Sequence, residues 1–77
     1  MSVHMTTKRR IMAMRRQDFE KLIDECMLSD VEADIMRRIY IKNQSFVFIA
    51  DSLGYSESGI KYKHKLILKR ISGILRF

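Results

Sequence analysis

Residues 45–61 have the sequence SFVFIADSLGYSESGIK, which contains the signals that end one helix and begin another. Its first serine can cap a short helix over about residues 46–53, and Gly54 stands where helices commonly end in a left-handed residue. The next serine can then cap a last, longer helix over residues 57–75. A short helix, a turn near residues 54–56 and a longer basic helix together predict a helix-turn-helix.

A capping box at residues 29–32, with the sequence SDVE, predicts the start of the preceding helix. In this pattern the hydroxyl of Ser29 accepts a hydrogen bond from the backbone N–H of Glu32, and the glutamate accepts one from the serine N–H. Apolar residues then recur at four-residue spacing, and the polar residues 43–45 mark the end of the helix. The apolar residues at this spacing are Val31, Ile35 and Ile39.

An earlier apolar stripe predicts one more helix, over about residues 8–27. The basic front half of that segment is less regular, so a start near Asp18 is the alternative, and residues 1–7 are expected to be disordered. The sequence therefore predicts one all-α domain over residues 8–77, a bundle of three or four helices. The residues of the stripe are Phe19, Leu22, Ile23, Cys26 and Met27.

Length and composition exclude several classes of protein. The chain has 77 residues, 47% of them hydrophobic, and contains no proline. Its longest apolar run covers five residues, Phe46 to Ala50, whereas a membrane span needs about 20, and no secretory signal precedes it. One cysteine forms no internal disulfide, and one cysteine with two histidines cannot fill a structural zinc site. We therefore expect a small, reduced, cytoplasmic helical domain without membrane contact.

Basic residues are concentrated at the two ends of the chain. Residues 8–16 carry a charge of +5 and residues 61–77 carry +6, and neither segment contains an acid. All nine acids lie between Asp18 and Glu57, where four bases leave a charge of −5. Two cationic segments around an acidic middle favour binding to a polyanion such as nucleic acid or an anionic membrane surface. The alternative is a charged surface that only promotes solubility.

Residues 28–71 contain a longer pattern that includes the turn: an LS start, a glutamate, an apolar pair and a tyrosine, followed by S-x-x-x-I-A-x-x-L-G-x-S-x-x-x-I-K. This pattern resembles region 4 of bacterial sigma-70-type factors, without a gap over about 44 of the 77 residues. The related LuxR-type module has one residue fewer between Tyr40 and Ile49. The matching residues are Leu28, Ser29, Glu32, Ile35, Met36, Tyr40, Ser45, Ile49, Ala50, Leu53, Gly54, Ser56, Ile60 and Lys61.

The resemblance implies a DNA-binding helix-turn-helix in a bacterial or phage transcription regulator, but the chain also departs from the family pattern. No segment resembles the region that melts promoter DNA, so a complete sigma factor is not expected. Gly59 replaces a larger residue near the start of the recognition helix and weakens its first turn by roughly 1 kcal/mol. His64 occupies a slot usually held by leucine, where we expect a partly buried neutral side chain bonded to the backbone. Val47 and Phe48 replace two exposed acids.

The last predicted helix has an apolar face and a cationic face. At about 100° per residue, the apolar positions fall on one side of the helix. They are Ile60, His64, Ile67, Leu68, Ile71, Ile74 and Leu75. The opposite side consists of Ser58, Lys61, Tyr62, Lys65 and Lys69.

In a helix-turn-helix, the N-terminal part of the outer face enters the major groove. The sequence therefore predicts base contacts from Ser58, Lys61 and Tyr62 and phosphate contacts from Lys65 and Lys69, the alternative being a merely solvated lysine face. Glu57 borders this face and either repels wrong bases or interacts with the helix dipole. Four arginines are expected to contact phosphates if the N-terminal helix lies along the DNA backbone. They are Arg9, Arg10, Arg15 and Arg16.

Patterns typical of catalysis are missing from the sequence. Residues 54–58, GYSES, approach the G-x-S-x-G nucleophile elbow but lack the final glycine, and no strand is predicted before them. Cys26 lies in an apolar stripe and is expected in the core. The sequence therefore predicts a protein that is not an enzyme and needs no cofactor or metal.

Two functions remain open at this point. The first is a sequence-specific transcription regulator that binds double-stranded DNA, with RNA polymerase as a further partner. The second is a module that uses the same fold to bind a protein or structured RNA, for which exposed Val47 and Phe48 would be the contact. A homodimer is expected in either case, with its apolar seam formed by Met12 and Met14 or by residues 74–77.

Overall fold

Five helices make up the described part of the chain, residues 3–75, in the computed structural model. No strand occurs within these residues, and the all-α prediction is confirmed. Helix α5 is the central element, because α1, α3 and α4 all pack against it. Within residues 3–75, no helix combines the length and the apolar character needed to cross a bilayer. The helices are α1 (Val3–Met12), α2 (Arg16–Glu25), α3 (Asp30–Tyr40), α4 (Phe46–Leu53) and α5 (Glu57–Leu75).

The single helix predicted over residues 8–27 is wrong, because the chain breaks at residues 13–15 and forms α1 and α2 instead. The alternative start near Asp18 is close to the observed start of α2 at Arg16. Arg15 is extended (φ −68°, ψ 157°) and begins α2 without a side-chain cap. Tertiary packing accounts for the break. Ile11 and Phe19 are both buried, and the change of direction lets α1 pack against α5 while the apolar face of α2 enters the main core. The described fold therefore has five helices where three or four were predicted.

The predicted disorder of residues 1–7 also differs from the structure, since α1 already begins at Val3. Thr7 is fully buried at 0% exposure and stands four residues before buried Ile11, so both occupy the packed face of α1. Burial of this face stabilises a short helix that has little tendency to form alone. Residues 1–2 lie outside the described residues.

The predicted capping signals are confirmed. The capping box of α3 is complete, with Glu32 N–H donating to Ser29 Oγ at 3.2 Å and Ser29 N–H donating to Glu32 Oε1 at 2.9 Å. Ser45 caps α4 by accepting a hydrogen bond from the backbone N–H of Phe48 at 3.1 Å. Gly54 ends α4 in the left-handed conformation, with φ +76°, which glycine adopts without strain. These local devices fix where α4 ends and α5 begins.

A compact apolar cluster joins α3, α4 and α5. Ile35, Ile49 and Ile60 are each 0% exposed and pack together with Ala50. Because one isoleucine comes from each helix, the cluster holds the short helix α4 against the first turns of α5. A larger cluster contains the buried apolar residues of α1 and α2 together with Ile67, Leu68 and Ile71 of α5.

A polar contact inside the fold links α3 to α5. The Tyr40 hydroxyl lies 2.7 Å from His64 Nε2, and the rings of Phe19 and Phe46 pack beside this pair. His64 is 7% exposed, as expected for a partly buried slot, and its Nε2 faces the tyrosine hydroxyl. Burial raises the pKa of Tyr40 well above its ordinary value, so the hydroxyl stays protonated and can donate to the ring nitrogen of His64.

The raised pKa of Tyr40 predicts a loss of stability in alkaline solution. Above about pH 10 this tyrosine ionises in the unfolded chain but stays protonated in the folded one, so each pH unit favours unfolding by up to about 1.4 kcal/mol. Its contribution is fully present below the unfolded pKa and is lost as the pH rises. Tyr40→Phe should be less stable near neutral pH by about 1 kcal/mol, yet show a shallower alkaline loss.

Urea unfolding from about pH 8 to about pH 11 measures this effect. Tyr55→Phe serves as the control, since Tyr55 is 40% exposed. An alkaline slope for Tyr40→Phe as steep as that of the unmodified chain and of the control would show that Tyr40 burial is not responsible.

Candidate nucleic-acid interface

The predicted division of α5 into two faces is confirmed in its main features. The predicted outer residues Ser58, Lys61, Tyr62, Lys65 and Lys69 are all exposed. Ile74 departs from the expected pattern, because it is 37% exposed near the end of the helix. The buried residues of the inner face are Ile60, His64, Ile67, Leu68 and Ile71.

The turn before α5 fixes the position of its first residues. Ser56 Oγ accepts a hydrogen bond from the backbone N–H of Gly59 at 3.0 Å and lies 3.4 Å from Ser58 Oγ. A Cβ placed on Gly59 would stand 3.0 Å from the same Ser56 Oγ. Glycine at position 59 therefore leaves room for the cap that starts the helix, which gives a structural reason for the departure from the family pattern.

Lys61 is held by two neighbours. Its Nζ lies 3.3 Å from Glu57 Oε1, one turn earlier on the same helix, and 5.9 Å from the centre of the Phe46 ring at the start of α4. Both contacts are at the protein surface and are worth little in stability. Lys61 can therefore exchange Glu57 for another anion at a small cost in free energy. When no other anion is bound, Lys61 pairs with Glu57.

Lys65 and Lys69 are exposed on the outer face of α5, and neither forms an ion pair within residues 3–75. In the acidic middle segment, Arg37 pairs with Glu20 at 2.7 Å and Arg38 pairs with Asp34 at 2.9 Å. The pairing lowers the pKa of Glu20 and raises that of Arg37. Two of the middle segment's arginines are thus paired with acids of that segment, whereas Lys65 and Lys69 on the outer face of α5 face solvent.

The four N-terminal arginines lie in two places. Arg9 and Arg10 are exposed in the last turn of α1, the helix that packs against α5. Arg15 and Arg16 are exposed where α2 begins, and among residues 3–75 no hydrogen bond or ion pair joins them to α5. The structure therefore places the first pair on a helix that packs against α5 and the second pair at the start of α2. At a helix C-terminus, cations also favour the helix dipole, so Arg9 and Arg10 stabilise α1 as well.

Exposed apolar side chains form two patches that bear on function. Val47 and Phe48 are 52% and 54% exposed on the outer side of α4, as the sequence suggested. On α5, Leu66 is 46% exposed and follows the 62% exposed Tyr62 by four residues. Leu66 was not among the residues predicted for this face, because the prediction was based on the lysines and their polar neighbours. The four-residue spacing from Tyr62 was the signal that could have found it.

The candidate seams of the predicted homodimer are only partly described. Met12 is 68% exposed in α1, whereas Met14 is half-buried against the main core. At the other seam, Ile74 is exposed and Leu75 is half-buried, and Arg76 and Phe77 lie outside the described residues. The exposed apolar area within residues 3–75 is therefore larger at the α1 seam.

Nucleophilic and metal-binding groups are poorly placed for chemistry. Cys26 is buried at 4% exposure, which confirms its predicted place in the core, and burial raises the pKa of its thiol. Within residues 3–75, no cluster of histidine, cysteine, aspartate and glutamate side chains is arranged to hold a metal ion.

Comparison of the chain with protein-family models, with curated proteins and with solved structures found no match. The class that the fold itself defines is a small all-α domain built around one long basic helix.

Proposed function

We propose that the chain is a sequence-specific DNA-binding transcription regulator, in which α4 and α5 form a helix-turn-helix and the first turns of α5 enter the major groove. The observation that carries this proposal is the outer face of α5, where exposed Lys65 and Lys69 follow Tyr62 and neither forms an ion pair within residues 3–75. The capped turn and the apolar cluster beneath it hold this face in one orientation, as a base-reading surface requires.

Binding would combine positioning and base contacts. Lys65 and Lys69 would meet phosphates and displace counterions, which fixes the helix on the duplex without sequence preference. Ser58, Lys61 and Tyr62 lie nearer the N-terminus of α5 and would meet base edges, with lysine a donor to guanine O6 and N7. Glu57 would release Lys61 as the base or phosphate replaces it.

The N-terminal arginines would extend the phosphate contacts. Arg9 and Arg10 are the better candidates, because α1 packs against α5. Arg15 and Arg16 would contribute only if the DNA curves toward the start of α2. The resemblance to sigma region 4 supports RNA polymerase as a further partner, and a bacterial or phage cytoplasm as the setting.

The first test of this proposal is the salt dependence of duplex binding. Lys69→Ala should weaken binding to every sequence alike and reduce the slope of log K against log salt by about one unit, because one phosphate contact is lost. Fluorescence anisotropy with a labelled duplex at several salt concentrations measures both quantities. Lys21→Ala is the matched control, since Lys21 is exposed on α2, outside the proposed helix-turn-helix, and its loss should leave the slope unchanged.

Two outcomes would count against the proposal. One is the absence of duplex binding at low salt by the unmodified chain. The other is an equal reduction of the slope by Lys21→Ala and Lys69→Ala, which would assign binding to net charge rather than to α5.

Val47 and Phe48 support a second candidate, a protein-interaction module. Phe48 is 54% exposed on α4, and the adjacent Val47 is 52% exposed. Apolar side chains do not bind phosphates, but they can contact an apolar surface of a partner protein such as RNA polymerase. Val47→Ser with Phe48→Ser should leave duplex affinity unchanged if this patch serves a protein. The two functions are compatible, because the patch and the lysine face lie on different helices.

We also propose that the chain forms a homodimer, since paired helix-turn-helix units contact two half-sites. The exposed Met12 of α1 is the best described contribution to an apolar seam. Sedimentation at and above micromolar concentration should show a species of twice 9.2 kDa that Met12→Lys weakens. A monomer at all concentrations would contradict this.

A further inference from the structure

Two large side chains on α5 lie in solvent beside each other. Tyr62 is 62% exposed and Leu66 is 46% exposed. Residues four apart on a helix are neighbours on its surface, so the two form one apolar strip along the outer side of α5. Solvent exposure of a leucine in the middle of a long helix has no structural benefit, and the strip is therefore a candidate contact surface.

The charges around this strip indicate what covers it. Lys65 and Lys69 lie along one side of it on the same helix, and neither is ion-paired within residues 3–75. The chain contains no acid after Glu57, which is itself paired with Lys61. An apolar strip with unpaired cations beside it is complementary to a surface where apolar groups lie next to negative charge. The major groove of a thymine-containing duplex has this character, with C5-methyl groups on its floor and phosphates along both sides.

We infer that Tyr62 and Leu66 contact the C5-methyl groups of thymines in the major groove, so that the preferred duplex has thymine where these side chains meet it. This inference rests on the proposed DNA-binding function and adds Leu66 to its specificity-determining residues. Four residues of helix rise by about 6 Å, close to two base-pair steps, so the two thymines should lie near each other in the site.

Replacement of thymine by deoxyuridine tests the inference, because it removes the methyl group and leaves base pairing intact. In a duplex selected by the chain, each thymine is replaced in turn and affinity is measured by anisotropy. At one or two positions we expect a three- to fivefold loss, roughly the effect of removing one apolar carbon from a contact. The change is made in the DNA, so the result does not depend on whether a protein variant folds.

The variant Leu66→Ala then tests which thymine methyl group Leu66 contacts. Alanine is the best helix former, so α5 should remain intact. The variant should bind the thymine duplex three- to fivefold more weakly and no longer distinguish thymine from deoxyuridine at one position. Tyr62→Phe keeps the ring and should keep the discrimination at the other position, whereas Tyr62→Ala should lose it.

The outcomes separate this inference from the proposed function. A chain that binds no duplex overturns both. A chain that selects and binds a duplex but tolerates deoxyuridine everywhere overturns only the thymine contact. If Leu66→Ala instead abolishes self-association in sedimentation and leaves discrimination unchanged, a second copy of the chain covers the strip and the inference is wrong.

Discussion

Ile60→Ala should destabilise the folded chain by about 2–5 kcal/mol, a large part of the roughly 5 kcal/mol available to a small domain. Ile60 is 0% exposed and packs with Ile35 and Ile49 in the cluster that joins three helices. The truncation removes buried apolar area and leaves a cavity that the surrounding helices cannot easily close. Because the cluster holds α4 against α5, loss of the folded state should also remove duplex binding.

Ile74→Ala is the matched control, since it deletes the same atoms on the same helix at a position that is 37% exposed. Its cost should stay below about 1 kcal/mol. Urea unfolding followed by circular dichroism measures both variants. Equal costs for Ile60→Ala and Ile74→Ala would mean that the cluster does not organise the packing of α4 on α5.

Lys61→Ala or Tyr62→Ala should cost about 1–3 kcal/mol on the chain's specific duplex and relax its preference at one base pair. Both side chains are exposed in the first two turns of α5, where a docked helix meets base edges. Lys61 first has to leave Glu57, 3.3 Å away, so its net effect should be the smaller of the two.

The ratio of affinities for the specific and a random duplex distinguishes base contacts from phosphate contacts. Lys69→Ala, farther along α5, should weaken both kinds of duplex to the same extent. Competition titrations with the specific site and a scrambled site give the ratio for each variant. If Lys61→Ala and Lys69→Ala lowered both affinities equally, α5 would be an electrostatic surface that does not distinguish sequences.

The parts of the fold that depend on neighbouring residues could be predicted from the sequence. The Ser29 and Glu32 capping box and the left-handed Gly54 are set by short-range hydrogen bonds and backbone sterics, so a few letters suffice to locate them. The faces of α5 follow from its periodicity for the same reason.

The parts that depend on distant contacts could not be predicted. No glycine or proline marks the break at residues 13–15, which lets the buried side chains of α1 and of α2 meet α5 in one core. Thr7, a small polar residue, gives no sign that it will be fully buried in α1. The contact of Tyr40 with His64 joins residues 24 apart in the chain, and no local pattern predicts that distance.

The candidate interface also combines features that follow from the local sequence with features that depend on distant contacts. Exposure of Lys65 and Lys69 follows from the helical period, and the structure agrees. The ion pair of Lys61 with Glu57 could be predicted from the sequence, because the two residues are four apart on one helix. The contact of Lys61 with the Phe46 ring could not, because it depends on how α4 packs against α5. The position of Arg15 and Arg16 at the start of a second helix depends on the unpredicted break before α2.

Selection from a random duplex library measures sequence-specific binding most directly. If α5 enters the major groove as proposed, repeated selection by the unmodified chain should enrich a short defined motif, and its enrichment should depend on Lys61 and Tyr62. The contrary result is recovery of duplexes that share no motif and whose affinities all fall with salt to the same extent. That result would contradict sequence-specific recognition and would assign binding to attraction between the basic ends of the chain and a polyanion.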